Sequence, residues 1–314
     1  MNQSLRSHDE PRLAAISPGL SLRRKAPLLA LQRDRIRRLI ELIGRPGDLA
    51  PRQWVQLMAF ALDFEPDLIL ELGRGWGNST AAFTEAANML IPSCEVVSVC
   101  RSRDFQQKSQ DRLMQVMGES WFGPLKVISG DILAQDYQQL VGKHQRVFIF
   151  WDAHGFDIAE CVLGEILPYV AHRPHIVVMH DISDARYASG PASYQGQPLW
   201  RHGKGEAGPT LRLGPISTRV EQAIAAVDFT SRNNVPFNSA DESLHREIGA
   251  DPAEMEKLDE ILGKDLFALQ ADWFWFSLNS APGGLTFPAF RPSGRSLRWK
   301  VRAREAAKIV MGRT

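Results

Sequence analysis

Short apolar runs recur along the middle of this chain, separated by longer stretches whose apolar residues return at helical spacing. Leu68-Ile69-Leu70-Glu71-Leu72, Val96-Val97-Ser98-Val99, Leu125-Lys126-Val127-Ile128, Val147-Phe148-Ile149-Phe150-Trp151 and His175-Ile176-Val177-Val178-Met179 read as five strands. Helices are expected between them over 81–87, 104–117, 133–141 and 158–167, the first capped by Asn78 or Ser79. Ahead of the first strand, residues 1–26 are polar and read as an irregular arm. Residues 28–43 form a helix with Ile36, Leu39, Ile40 and Ile43 on one face, stopped by Gly44, Pro46 and Gly47. Pro51 opens a second helix over 52–64, ended by Pro66.

Beyond the fifth strand the pattern changes. Residues 186–250 are punctuated by Gly190, Pro191, Gly196, Pro198, Gly203, Gly205, Gly208, Pro209, Gly214 and Pro215, with Tyr187, Tyr194 and Trp200 among them. A segment this long reads as an acceptor-binding insertion or as a surface excursion. Helices are expected at 216–227 and 252–262. Residues 271–279 form an aromatic strand of the core, and 296–310 a basic helix. The expected organisation is an arm and helical cap (1–66), a nucleotide-binding α/β core (67–185), the insertion (186–250), completion of the core (251–290) and a basic tail (291–314). The cap is read as packing with a solvated charged face; a lid or a dimer contact is the sharper alternative.

Composition narrows the partners. The 314 residues are 44% hydrophobic, enough for a sizeable core, and the net charge of +1 gives no global field toward nucleic acid or membrane. Cys94, Cys100 and Cys161 have neither metal-ligand nor disulfide-framework spacing. No apolar run has transmembrane length, and the first residues lack the build of a signal peptide. A cytoplasmic protein without a membrane span or nucleic-acid partner is therefore expected, with homo-oligomerisation left open.

The chemistry centres on Glu71-Leu72-Gly73-Arg74-Gly75-Trp76-Gly77, between the first strand and its helix. Glycine lets the backbone pass closely under a ligand, and a helix N-terminus offers free N–H groups. A dinucleotide fingerprint fails on spacing, because its third glycine would fall on Asn78 or Thr80. The Gly-Lys-Ser/Thr of a P-loop is absent. What stands is E-x-G-x-G-x-G.

This stretch resembles the first motif of class I S-adenosylmethionine-dependent methyltransferases. The resemblance implies an α/β fold, a doubly wound, mostly parallel seven-stranded sheet of Rossmann-like methyltransferase type, with an N-terminal helical cap and an insertion after the fifth strand. It implies that Glu71, Gly73, Gly75, Gly77, Asn78 and Ser79 shape the cofactor pocket. The family's ribose-binding acid at the end of the second strand is replaced here by Cys100, so Asp104, Ser102 or backbone would serve. Asp131 would face the adenine with Ile132 as an apolar wall; the alternative is that Asp131 caps the next helix.

Two adjacent strand ends carry Asp152-Ala153-His154 and His180-Asp181. This pairing resembles the branch of small-molecule O-methyltransferases that includes macrolide sugar methyltransferases and cephalosporin-hydroxylase-like proteins. The fourth-strand run is one position shorter than the pattern of that branch. The resemblance implies a small-molecule hydroxyl as acceptor, with Asp152 and Asp181 as candidate Mg²⁺ ligands; ordering a loop and capping are their plainer roles. Asp152, His154 and His180 are the candidate catalytic residues. A metal-dependent hydrolase on a related sheet and a non-catalytic binding protein are the rival readings.

Overall fold

The computed structural model describes residues 16–91, 93–180 and 218–290. A seven-stranded sheet runs through it in the order β3-β2-β1-β4-β5-β7-β6. Its strands are β1 (Leu68–Leu72), β2 (Glu95–Cys100), β3 (Leu125–Ser129), β4 (Val147–Trp151), β5 (His175–His180), β6 (Asn238–Ser239) and β7 (Trp273–Phe276). β1 to β5 are mutually parallel, and β7 runs antiparallel to both β5 and β6. The doubly wound, mostly parallel architecture expected from the sequence is the one observed. β6, two residues long, has no pattern from which it could be read.

Alternation along the strands assigns each face. Leu68, Leu70, Leu72, Val147, Ile149, Trp151, Val177 and Met179 enter one core. Ile69, Phe148, Phe150, Ile176 and Val178 enter the other. Continuing the second set along the strands places Glu71, Asp152 and His180 on that same side.

Three N-terminal helices cover this side: α1 (Pro18–Leu31), α2 (Arg33–Ile43) and α3 (Pro51–Phe64). α3 lies against the sheet, with the Phe60 ring 5.8 Å from Phe148 and 5.6 Å from Trp273. α1 corrects the expectation of an irregular arm over 18–26, and the single helix expected over 28–43 is divided at Gln32 between α1 and α2. Pro18 suits a first helical turn, and Leu22, Ala26 and Leu29 are buried at helical spacing. Its start is held from far along the chain: the Gly19 N–H donates to Ser243 Oγ at 3.0 Å, and Leu20 N–H to Glu247 Oε2 at 3.0 Å. Residues 1–15 lie outside the described set.

After β1 comes α4 (Asn78–Met89). The expected helix at 104–117 is a wide turn over Phe105–Gln110 running into α5 (Asp111–Met117). α6 (Tyr137–Val141) precedes β4, and α7 (Phe156–Cys161) and α8 (Leu167–Val170) follow it. Residues 186–217 of the proposed insertion lie outside the described residues, as do 181–185 at the end of the expected core, Asp181 among them. From residue 218 the chain packs with the sheet. α9 (Thr218–Arg232) buries Ala223, Ala226 and Phe229 in the core of Leu68 and Val147, on the face away from the N-terminal helices. α10 (Ala240–Leu244) follows β6, and α11 (Pro252–Leu262) is bounded as expected. The basic tail, 291–314, is also outside the described residues.

His175 ties the start of β5 to the chain after β7. Its Nδ1 lies 2.9 Å from the Arg173 carbonyl and its Nε2 accepts from Leu278 N–H at 3.0 Å. The carbonyl requires the proton on Nδ1, so the ring is held neutral, and burial pushes its pKa down to about 4. The folded state therefore binds fewer protons than the unfolded chain between about pH 6.5 and 4. The stabilisation is complete above that window and is lost as pH falls through it. Urea unfolding at successive pH values is expected to show a loss of about 3 kcal/mol from this group. In His175→Gln the dependence over that window should shrink by a similar amount.

Candidate functional site

The site is built where β1, β4 and β5 end side by side. In doubly wound sheets the ligand crevice lies at these carboxyl ends. The turn from β1 into α4 takes left-handed backbone at Gly73 (φ +96°), Gly75 (φ +51°) and Gly77 (φ +97°). Each glycine meets different surroundings. A Cβ on Gly73 would stand 2.5 Å from the Asp152 carbonyl oxygen, so the turn rests on the backbone leaving β4. A Cβ on Gly77 would meet the Phe105 ring at 2.2 Å. A Cβ on Gly75 would have nothing within 4 Å. Gly75 thus presents bare backbone to open space.

Beneath the turn, Glu71 is fully buried. Its carboxylate accepts hydrogen bonds from Ser79 Oγ at 2.5 Å, Thr80 Oγ1 at 2.6 Å and Ser98 Oγ. Burial raises its pKa, opposed by the three hydroxyls and the Arg74 charge. The buried Arg74 guanidinium donates to the Ser98 carbonyl at 2.9 Å and lies 5.7 Å from the Phe105 ring centroid. Glu71 and Ser79 therefore face each other inside the protein and brace the turn against α4. Gly77, rather than Asn78 or Ser79, occupies the N-cap of α4, because the Ser79 hydroxyl is drawn to Glu71. Asn78 donates to the Arg45 carbonyl at 3.0 Å, fastening the turn to the α2–α3 connection.

At the ends of β2 and β3, Asp131 pairs with Arg101 and accepts from Leu133 N–H at 3.1 Å. It is thus a cap as well as a charge partner. Ile132 is buried in the core of Leu68 and Val147. Asp104 accepts from Ser102 Oγ, and its own N–H donates back to Ser102 Oγ at 3.0 Å. Cys100, the last residue of β2, is partly exposed.

At the ends of β4 and β5, Asp152 and His180 come together. Trp151 is level with Met179 in the ladder, which sets the next residues of the two strands side by side. Asp152 Oδ1 lies 3.4 Å from His180 Nδ1. His180 is buried, with its ring 5.9 Å from Phe150 and its Nε2 3.2 Å from Gln53 Nε2 of α3. His154 turns another way: its Nδ1 is 3.1 Å from Gln222 Oε1, on α9. Among the described residues no group of three or more His, Cys, Asp or Glu is placed to hold a metal ion.

The structure therefore gathers Gly73, Gly75, Asp152 and His180, and sets His154 beside α9. Gln53, Gln222, Arg74 and Ser98 were not singled out by the sequence. Only the position of Gln53, three residues past Ala50 at a helix start, carries a local signal, and that signal is for capping rather than for His180. The opposite end of the sheet bears an open groove lined by Asp67, Glu95, Lys126, Lys143 and His144, away from these residues.

No protein-family model matches the chain, and no curated protein matches it in sequence. Solved structures give distant likenesses. The SAH-bound methyltransferase PaMTH1 of Podospora anserina is 14% identical, covering 76% of this chain and 86% of its own, with TM-score 0.44. The O-methyltransferase TomG of Streptomyces achromogenes, in complex with SAM, is 18% identical over 64% of this chain and 80% of its own, with TM-score 0.41. An O-methyltransferase from Bacillus cereus, in complex with SAH, is 13% identical over 69% and 79%, with TM-score 0.38. Likeness this remote assigns no activity. Among the described residues, no helix is long and apolar enough to cross a membrane.

Proposed function

We propose that the chain is an S-adenosylmethionine-dependent methyltransferase acting on a hydroxyl group of a small molecule, a sugar or natural product. The observation that carries this reading is the position of Gly75. Its backbone is bare to open space at the end of β1, and the same turn rests through Gly73 on the backbone of Asp152. A cradle that a Cβ would intrude upon, with a carboxylate at its border, fits the methionine part of such a cofactor. Partly exposed Cys100, Ser102 and Asp104 lie at the strand end expected to meet its ribose.

When bound, S-adenosylmethionine supplies a methyl group made electrophilic by its sulfonium. The protein has to align the acceptor and take its proton. Asp152 is the proton acceptor in this reading. His180 N–H holds one carboxylate oxygen, and the other is the one directed to the acceptor hydroxyl. His154 is the second base the site offers. Its Nδ1 is engaged by the Gln222 carboxamide, which leaves Nε2 as the nitrogen turned toward a substrate. The two can be told apart by substitution: Asp152→Asn removes most of kcat if the carboxylate is the base, and His154→Gln does so if the imidazole is.

Mg²⁺ at Asp152 and Asp181 would lower the acceptor pKa further. Asp181 is outside the described residues, so no step is derived through the ion.

The test is transfer of a labelled methyl group from S-adenosylmethionine to a panel of sugars, phenols and polyketide alcohols, with and without EDTA. Labelled product from at least one hydroxyl acceptor is expected. Metal-dependent hydrolysis without any methyl transfer would replace this reading with that of a hydrolase.

A further inference from the structure

We infer that Gln53 is a positioning residue that holds His180 as the neutral tautomer carrying its proton on Nδ1, facing Asp152. The inference deepens the reaction proposed above and rests on it only for its kinetic readout.

Gln53 lies in the first turn of α3 and is buried. Two backbone groups fix which way its carboxamide faces. The Ala50 N–H, which can only donate, meets Oε1 at 2.7 Å. The Ala271 carbonyl, which can only accept, meets Nε2 at 2.6 Å. Exchanging oxygen and nitrogen would set donor against donor and acceptor against acceptor, so the amide cannot flip. The second N–H of Nε2 is then the group 3.2 Å from His180 Nε2. A hydrogen bond there needs a lone pair on that ring nitrogen. The proton of the neutral ring must sit on Nδ1, and 3.4 Å beyond it is Asp152 Oδ1.

His180 is 2% exposed, so its ring nitrogens depend on these protein partners. Gln53 thus keeps the Nδ1 N–H facing Asp152, where it orients the carboxylate. Gln53 acts through His180 on Asp152, from a helix far away in sequence, which makes the N-terminal helical layer part of the site.

The experiment is ¹⁵N NMR of the full chain labelled at histidine, without ligand and at neutral pH. The His180 pair of signals is identified by its loss in His180→Gln. The native protein is expected to show a protonated Nδ1 and a bare Nε2. In Gln53→Glu the new carboxylate can only accept, so Nε2 is expected to become protonated. In Gln53→Met, which keeps the volume, the Nε2 signal should lose its hydrogen-bonded shift. In the transfer assay, Gln53→Glu should lower kcat about tenfold or more with KM for S-adenosylmethionine nearly unchanged. A protonated Nε2 in the native protein, or identical His180 signals in all three proteins, overturns the inference. The native spectrum decides it even if a variant fails to fold. Absence of methyl transfer in the native protein would count against the reaction and leave the spectral result standing.

Discussion

Asp152→Asn is expected to lower kcat about 10²- to 10⁴-fold, the range for loss of a positioned base. The substitution keeps the shape of the side chain and its acceptor toward His180 Nδ1, now 3.4 Å from Oδ1. It removes the charge that takes the acceptor's proton. Stability should change by no more than about 1 kcal/mol, because the carboxylate is partly exposed and has one ring nitrogen to satisfy. Binding of S-adenosylmethionine should survive, since the cradle at Gly75 is untouched. The measurement is kcat against an accepted substrate beside calorimetry of the cofactor. Unchanged kcat would remove Asp152 from the reaction and leave His154 as the base.

The second large effect separates two glycines of one turn. Gly73→Ala is expected to destabilise the fold by about 3 kcal/mol. The new Cβ would meet the Asp152 carbonyl at 2.5 Å and 2.7 Å and the Ala153 nitrogen at 2.9 Å, and neither β1 nor β4 can give way inside a paired sheet. Left-handed backbone at φ +96° adds its own strain. Asp152 would be displaced with it, so activity should fall even where the variant folds. Gly75→Ala should cost only about 1 kcal/mol, the strain of its φ, because its Cβ would enter open space. That space is where the cofactor is proposed to lie, so the loss should appear in affinity instead. Chemical unfolding and ligand calorimetry on both variants read the contrast directly.

The parts of this molecule that were legible in the sequence are those whose physics is local. β1, β2, β4 and β5 are buried, and their apolar runs state as much. The glycine turn is legible because only glycine suits three left-handed positions so close together. Asp152 and His180 follow from the ends of their strands, since parallel strands deliver their carboxyl ends to one edge. What was missed depends on distant partners. α1 looks like an arm because Arg23, Arg24 and Lys25 interrupt it; it is held by Ser243 and Glu247, more than 220 residues away. Ser79 reads as a cap, yet a buried carboxylate below the turn competes for its hydroxyl. Gln53 meets His180 only because α3 lies across β5.

The account depends on a sulfonium nucleoside occupying the cradle at Gly75, and titration calorimetry with S-adenosylhomocysteine tests this most directly. The native protein is expected to bind it saturably with one ligand per chain, and Gly75→Ala at least about tenfold more weakly while unfolding at nearly the same denaturant concentration. No heat from the native protein at millimolar ligand, or equal affinity in the two proteins, would contradict it.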